Sequence, residues 1–177
     1  METTNFKLVN AKSSIDWTGR KVTGSHNGTI DIKEGEFVFS NGTLLSGKVI
    51  IDTTSIKILD ITHPDTNAQF AGHLASDDFF NSTQYPEALF KITTVTPGSN
   101  TSHIEGDLTI KGITHPIGFD ANIATSEDTI TLSGNIKVDR TKYGMKFRSA
   151  NFFTNLGDTL IYNDFDLKII ATAKNQA

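Results

Sequence analysis

The chain of 177 residues has no cysteine. Disulfides and thiolate metal sites are thereby excluded, while the compartment stays open, because many exported proteins also lack cysteine. Long apolar runs are missing as well. The densest stretches, such as Val49-Ile50-Ile51, fall far short of the ~20 residues a spanning helix needs. The opening residues, Met1-Glu2-Thr3-Thr4-Asn5, have neither a basic start nor an apolar centre and do not read as a signal peptide. The expected compartment is the cytoplasm, or the periplasm if the chain is a processed form. Basic residues are outnumbered: 16 Lys and Arg against 20 Asp and Glu leave a formal net charge of −4. That balance argues against nucleic acid as the main partner, since phosphate binding needs clustered Lys and Arg. Tryptophan occurs once and tyrosine 3 times, but there are 12 phenylalanines. Phenylalanine supplies apolar area without a polar handle, which suits a filled core or the wall of an apolar ligand site equally.

What the chain does have is period-two alternation. Ile104-Glu105-Gly106-Asp107-Leu108-Thr109-Ile110 alternates apolar or small with polar, and so do residues 28–32, 117–123, 130–138 and 165–169. Successive side chains of a strand face opposite ways, so each run buries one face and wets the other, as in an antiparallel sheet. Asn41-Gly42, Pro97-Gly98-Ser99-Asn100, Lys111-Gly112 and His115-Pro116 punctuate the runs. About eight strands result, a number that fits a meandering barrel or sandwich. The expected fold class is all-β, a single domain over residues 1–177. One stretch breaks the alternation. Residues 67–81 place Phe70, Leu74 and Ala75 at helical spacing, with Asp65, Thr66 or Asn67 available as N-cap. A short helix is expected there, as a lid on one barrel end.

The inward faces mix large and small residues: Gly106 with Leu108, Phe119 with Ala121, Gly134 with Ile136. Small inward residues leave room for a ligand; alternatively, such glycines mark bulges or tight bends. Pattern alone leaves the barrel equally well hollow or filled. No catalytic or metal constellation stands out. His26, His63, His73, His103 and His115 show no ligand spacing. His63 and His115 each precede proline, which is turn chemistry. Asp77-Asp78 are adjacent and diverge on a helix, so helix termination suits them better than shared acid–base work. Lys137, Arg140, Lys142, Lys146 and Arg148 form the one basic cluster, suited to a pyrophosphate, to a membrane surface or to plain solvation.

Several segments, taken in order, resemble the YceI-like family of bacterial polyisoprenoid-binding proteins with lipocalin-like barrels. They are Ser14-Ile15-Asp16-Trp17-Thr18-Gly19, Val22-Thr23-Gly24-Ser25-His26-Asn27-Gly28, His73-Leu74-Ala75-Ser76-Asp77-Asp78-Phe79-Phe80 and Tyr85-Pro86-Glu87-Ala88-Leu89-Phe90. Residues 104–117, Val138-Asp139-Arg140-Thr141-Lys142-Tyr143-Gly144 and a last strand after Gly157-Asp158 follow. The resemblance implies an extended eight-stranded antiparallel barrel with a short helix near one end. It also implies a hydrophobic tunnel for an isoprenoid lipid, either an isoprenoid quinone or a polyprenyl phosphate, and no catalysis or required cofactor. The chain departs from the family at residues 67–72, where members often carry an Arg-Asp pair, and this leaves head-group recognition open.

Combined with the alternation, the resemblance assigns Phe90, Ile92, Leu108, Ile110, Phe119 and Ala121 to the tunnel wall. Ile136, Phe165, Leu167 and Ile169 continue it. Trp17, Phe70, Phe79 and Phe80 are expected at the end near the helix. His73, Arg140 and Lys142 are the candidate head-group contacts. The expected partners are an isoprenoid lipid, a membrane in transient contact and a second copy in a homodimer. The rival readings are an enzyme acting on a lipid head group through His73 and Asp77, and a ligand-free interaction module.

Overall fold

Alternation becomes strand pairing throughout the computed structural model, which describes residues 2–176. Nine strands form: β1 (Thr4–Leu8), β2 (Ser14–Lys21), β3 (Gly24–Ser40), β4 (Thr43–Ile58), β5 (Glu87–Pro97), β6 (Ser102–Ile110), β7 (Ile113–Ser126), β8 (Thr129–Asp139) and β9 (Ile161–Asn175). On β6, Ile104, Gly106, Leu108 and Ile110 are buried while His103 and Glu105 face solvent. Hydration of one face and burial of the other fixes its register against both neighbours.

All pairings are antiparallel, and β3 pairs with β4 to close the sheet. β1 and β2 share one position in the wall. β1 lies between β3 and the end of β9, with Thr4 opposite Phe39 and Phe6 opposite Asn175. β2 lies further along the same two strands, with Trp17 opposite Gly28 and Leu167. A 3-10 turn, Asn10–Lys12, separates the two segments. The nine segments therefore make a closed eight-stranded barrel, as expected, with β1 as the segment alternation did not reveal. Closure leaves no long unpaired edge to invite pairing with another chain.

The turns follow backbone chemistry. Asn41 and Gly42 have φ of 52° and 78°, and Lys111 and Gly112 have 54° and 72°. Both pairs occupy the left-handed region that two-residue hairpins require. His115-Pro116, expected to punctuate, instead lies within β7, with Pro116 opposite Asp107. The fixed φ of proline is compatible with extended backbone, so the alternation carries the strand through it.

The helix also differs from expectation. α1 spans Pro64–Ala75, not 67–81, and His63 caps it, its ring accepting from the Thr66 N–H at 3.4 Å. Pro64 explains the early start: its φ suits the first helical position, where the missing N–H is not needed. Asp77, Asp78, Phe79 and Phe80 follow in a turn, closed by the Phe80 N–H donating to the Leu74 carbonyl at 3.0 Å. No residue of α1 is fully buried. Asn67 ties it to the barrel, its side-chain amide donating to the Ile58 and Ile61 carbonyls at 2.9 and 3.0 Å.

Two apolar clusters fill the molecule. The larger includes Phe6, Phe37, Ile104 and Ile130 and occupies the end away from α1. The smaller, at the helix end, draws Tyr143 and Met145 from the β8–β9 connection against Leu108, Val138 and Phe79.

Candidate functional site

A chamber of about 360 Å³ occupies the helix end of the barrel. Such a volume lies in the range of small-molecule sites, roughly 300–1,000 Å³. Strand geometry directs Ile15 and Trp17 of β2, Ile51 and Ile56 of β4, Leu108 and Ile110 of β6, and Phe165 and Leu167 of β9 into it. Phe70 and Leu74 of α1 and Phe79 and Phe80 of the following turn cover it. Met145 and Phe147 of the β8–β9 connection complete the wall.

Deeper in the barrel lies a second cavity of about 40 Å³, lined by Phe37, Phe90, Ile92, Ile104, Phe119 and Ile136 among others. Ile15, Ile51, Leu108 and Leu167 border both spaces. The rings of Phe90 and Phe119 meet in the deeper region at 5.9 Å between centroids.

The expected wall residues thus divide. Trp17, Phe70, Phe79, Phe80, Leu108, Ile110, Phe165 and Leu167 line the chamber. Phe90, Ile92, Phe119, Ile136 and Ile169 line the deeper cavity with Leu108 and Leu167. Ala121 lines neither; it is fully buried in the packed far end, opposite Gly134. The inward glycines also correct an expectation. They leave no empty space, and Gly106 lies opposite the register shift between Ile92 and Thr94, so the bulge alternative holds there. A side chain on Gly106 would lie 2.7 Å from the Phe90 ring, and one on Gly134 would lie 3.0 Å from that of Phe119. Each glycine seats an aromatic ring, so it narrows the tunnel's lower half rather than hollowing it.

The polar candidates separate in the same way. Arg140 is buried, 3% exposed, and borders the chamber. Its guanidinium donates to the carbonyls of Met145 (2.6 Å), Ile161 (3.0 Å) and Tyr162 (3.0 Å), and lies 5.8 Å from the Phe79 ring centroid. Burial pushes its pKa down, opposed by the adjacent Asp139 carboxylate. Lys142 is not part of the site. The 3-10 turn Arg140–Tyr143 directs Arg140 and Tyr143 inward and Lys142 outward. His73 lines the chamber, with its ring edge-on to Phe79 and Phe147 at 5.1 and 4.6 Å. Its Nε2 lies 2.9 Å from Asp78, not Asp77. Asp77 points to solvent near Lys111, so the His73–Asp77 pairing of the enzyme reading is not assembled.

One feature of the mouth has no sequence signal. The β2–β9 ladder loses register between Gly19 and Lys21, where one residue of β2 spans three of β9. Arg20, Ile161, Tyr162 and Asp164 line both the chamber and an outer groove that also contains Lys137, Asp139 and Asn163. Arg20 pairs with Asp166 on β9. The irregularity opens the chamber sideways onto a mixed-charge surface. A bulge of this kind follows from pairing, which alternation within one strand does not encode. On the other side of the mouth, the His26 ring meets that of Phe70 at a 60° tilt, 4.9 Å between centroids, and pairs with Asp60 at 2.9 Å. Burial pushes the Asp60 carboxyl up, but the Asn27 N–H and the His26 ring outweigh it and hold it below its ordinary value.

The model of the YceI-like domain matches residues 6–173. The protein YceI of Shigella flexneri is 33% identical over 133 residues, which is 73% of this chain and 65% of that one. The match thus spans about two thirds of its curated relative's length. Among solved structures, BcnA of Burkholderia cenocepacia superposes with a TM-score of 0.76 at 19% identity, covering 94% of this chain and 99% of its own. A polyisoprenoid binding domain from Saccharophagus degradans gives 0.68 at 12% identity, covering 96% and 98%. The YCEI protein of Campylobacter jejuni gives 0.61 at 21% identity, covering 84% of each chain. At these identities the structural likenesses establish the fold.

Proposed function

This chain belongs to the YceI-like family, and from that premise we propose that its barrel binds an isoprenoid lipid without transforming it. The observation that carries the proposal is the chamber itself: an apolar space walled by aromatic and aliphatic side chains, open at one end of a closed barrel. The polyisoprenoid-binding neighbour from Saccharophagus supports the same ligand class.

Volume and charge refine the proposal. At about 30 Å³ per water-sized group, the chamber holds about a dozen carbon atoms, or two to three isoprene units. A longer chain reaches the deeper cavity once the Phe90 and Phe119 rings yield. Each five-carbon unit contributes about 4 kcal/mol of gross apolar burial, at about 0.8 kcal/mol per methylene, before association costs. The outer groove carries Arg20 and Lys137 against Asp139 and Asp164. That balance, with Tyr162 and Asn163 beside it, favours a neutral hydrogen-bonding head such as a quinone over a polyprenyl phosphate. Arg140 already serves three carbonyls and acts as a clamp on the mouth.

The test is organic extraction of the purified protein followed by mass spectrometry, with titration of the apo protein by isoprenoid quinone and polyprenyl phosphate. Trp17 borders the chamber and is the sole tryptophan, so its fluorescence reports occupancy. Extracted isoprenoids, and saturable quenching by the quinone, are expected. Absence of both refutes the carrier reading, and tighter binding of the phosphate refutes the head-group argument.

A further inference from the structure

We propose that the helix end of the barrel docks on an anionic lipid bilayer, through the connection 140–160 and the neighbouring β2–β3 turn. This rests on reading the chamber as a lipid site. The first observation is where exposed apolar side chains lie. Among the described residues, Val22, Leu45, Leu59, Ile113, Phe152, Phe153 and Tyr162 are the large apolar side chains left exposed. Only Leu45, on the β3–β4 hairpin, lies at the far end; the others sit in connections or strand starts around the open mouth. Phe152 and Phe153 are adjacent and about half exposed, 49% and 48%. Clustered exposed apolar groups of this kind mark an interaction surface.

The second observation is charge. Residues 20–24 and 140–160 hold six basic side chains, Arg20, Lys21, Arg140, Lys142, Lys146 and Arg148, and one acidic, Asp158, in a chain of net charge −4. Arg140 is buried and Arg20 is paired with Asp166. Lys21, Lys142, Lys146 and Arg148 are exposed, and no ion pair among the described residues uses them. Cations and rings interleave: Lys146 Nζ lies 4.9 Å from the Phe152 centroid, and the Arg148 guanidinium 4.9 Å from that of Phe147. Basic side chains beside exposed aromatics suit the boundary between anionic head groups and acyl chains.

Position connects this surface to the chamber. Phe147 and Arg148 line the chamber from within, while Phe152 and Phe153 a few residues on face solvent. The same connection is thus wall on one side and docking tip on the other. The opposite rim is acidic, with Asp65 on α1 and Asp77 and Asp78 after it, so docking is one-sided. Charge also selects the occupant. A two-fold contact with a second copy would set the same basic surfaces face to face.

The experiment is flotation of the full chain with phosphatidylcholine vesicles, with or without phosphatidylglycerol. Two variants accompany it, K142E/K146E and F152S/F153S, and none of these four side chains lines the chamber. The parent is expected to float with the anionic vesicles only, and to be released by salt. Each exposed cation contributes about fivefold near such a surface, so K142E/K146E should lose at least about tenfold in binding. F152S/F153S, which removes two rings' apolar burial in the bilayer, should lose at least about tenfold as well. Quenching of Trp17 by detergent-solubilised quinone should match the parent in both variants. Flotation independent of phosphatidylglycerol, or variants that float like the parent, would overturn the proposal. So would a solution dimer that F152S/F153S dissolves, if vesicle binding is absent; it would assign the surface to a second copy. Anionic-vesicle binding without quinone binding supports docking while refuting the lipid-carrier reading.

Discussion

Replacing Phe119 by alanine tests how the interior is divided. The ring is 7% exposed, meets Phe90 at 5.9 Å between centroids and rests on Gly134. Burying a phenylalanine and then truncating it costs about 3–5 kcal/mol. The upper part of that range is expected, because Gly134 has no side chain to fill the space and the adjacent 40 Å³ cavity merges with it. The variant should therefore unfold at markedly lower denaturant but remain folded if the parent has typical stability. Binding should change in the opposite direction. In the parent, a chain that extends past the chamber must displace packed rings, at about 1–3 kcal/mol. Phe119→Ala removes that penalty, so long isoprenoids should bind about 5- to 150-fold more tightly. A short one, confined to the 360 Å³ chamber, should change by less than about twofold. Isoprenoid alcohols of increasing length, titrated against Trp17 fluorescence, measure this directly. Equal shifts for short and long ligands, or unchanged affinity for long ones, would refute the idea that these rings limit the tunnel.

Four further substitutions test the local geometry. Gly28→Ala places a methyl 1.7 Å from the Lys57 carbonyl oxygen and 2.7 Å from Trp17, at the β3–β4 closure; a loss above about 4 kcal/mol by chemical denaturation is expected. Gly19→Ala meets nothing within 4 Å and should stay within about 0.5 kcal/mol of the parent; similar values for both would contradict the closure geometry. Arg140→Met leaves the Met145, Ile161 and Tyr162 carbonyls without their donor and should cost about 3–5 kcal/mol. Limited proteolysis should then cut within 140–160 first, and a cutting pattern like the parent's would show that the clamp is not needed. Asp60→Asn should cost under about 1 kcal/mol at neutral pH. Because the folded carboxyl titrates below its ordinary value, its contribution is present above the unfolded pKa and lost as pH falls through the folded one. The stability difference should therefore vanish in acid, and a difference that grows on acidification would reverse the assigned sign.

The barrel was legible because its wall is locally encoded. Each alternating run, such as residues 104–110, states which face is buried without reference to any other strand. Asn41-Gly42 and Lys111-Gly112 state their turns in the same local way. What could not be read depends on partners. Gly106 looks like empty space until Phe90 on the neighbouring strand is placed over it. Lys142 looks like its neighbour Arg140 until the 3-10 turn points them to opposite sides. The sideways opening at Arg20 arises from a register shift between β2 and β9, which lie more than a hundred residues apart in sequence. His63 shows the limit of propensity: a residue taken for turn chemistry before Pro64 is the cap of α1.

The two halves of the barrel differ in a way that bears on use. Below, paired rings and seated glycines leave about 40 Å³ unfilled. Above, about 360 Å³ is left open beneath a helix with no fully buried residue. At about 24 cal/mol per Å³, a dry void of that size would forgo roughly 9 kcal/mol of packing, comparable to the whole stability of a typical domain. That figure is an upper bound, because water enters the open mouth. The walls cannot simply collapse, since the strands that carry them are tied into a closed barrel and Arg140 holds the 140–160 connection to β9. Filling the chamber would need only a few larger side chains, at Leu74 of α1, Ala88 of β5 or Gly19 of β2. Under the proposed lipid-binding function, the space retained where small residues and a lightly packed lid meet would serve entry and release at the helix end rather than through the sealed lower half.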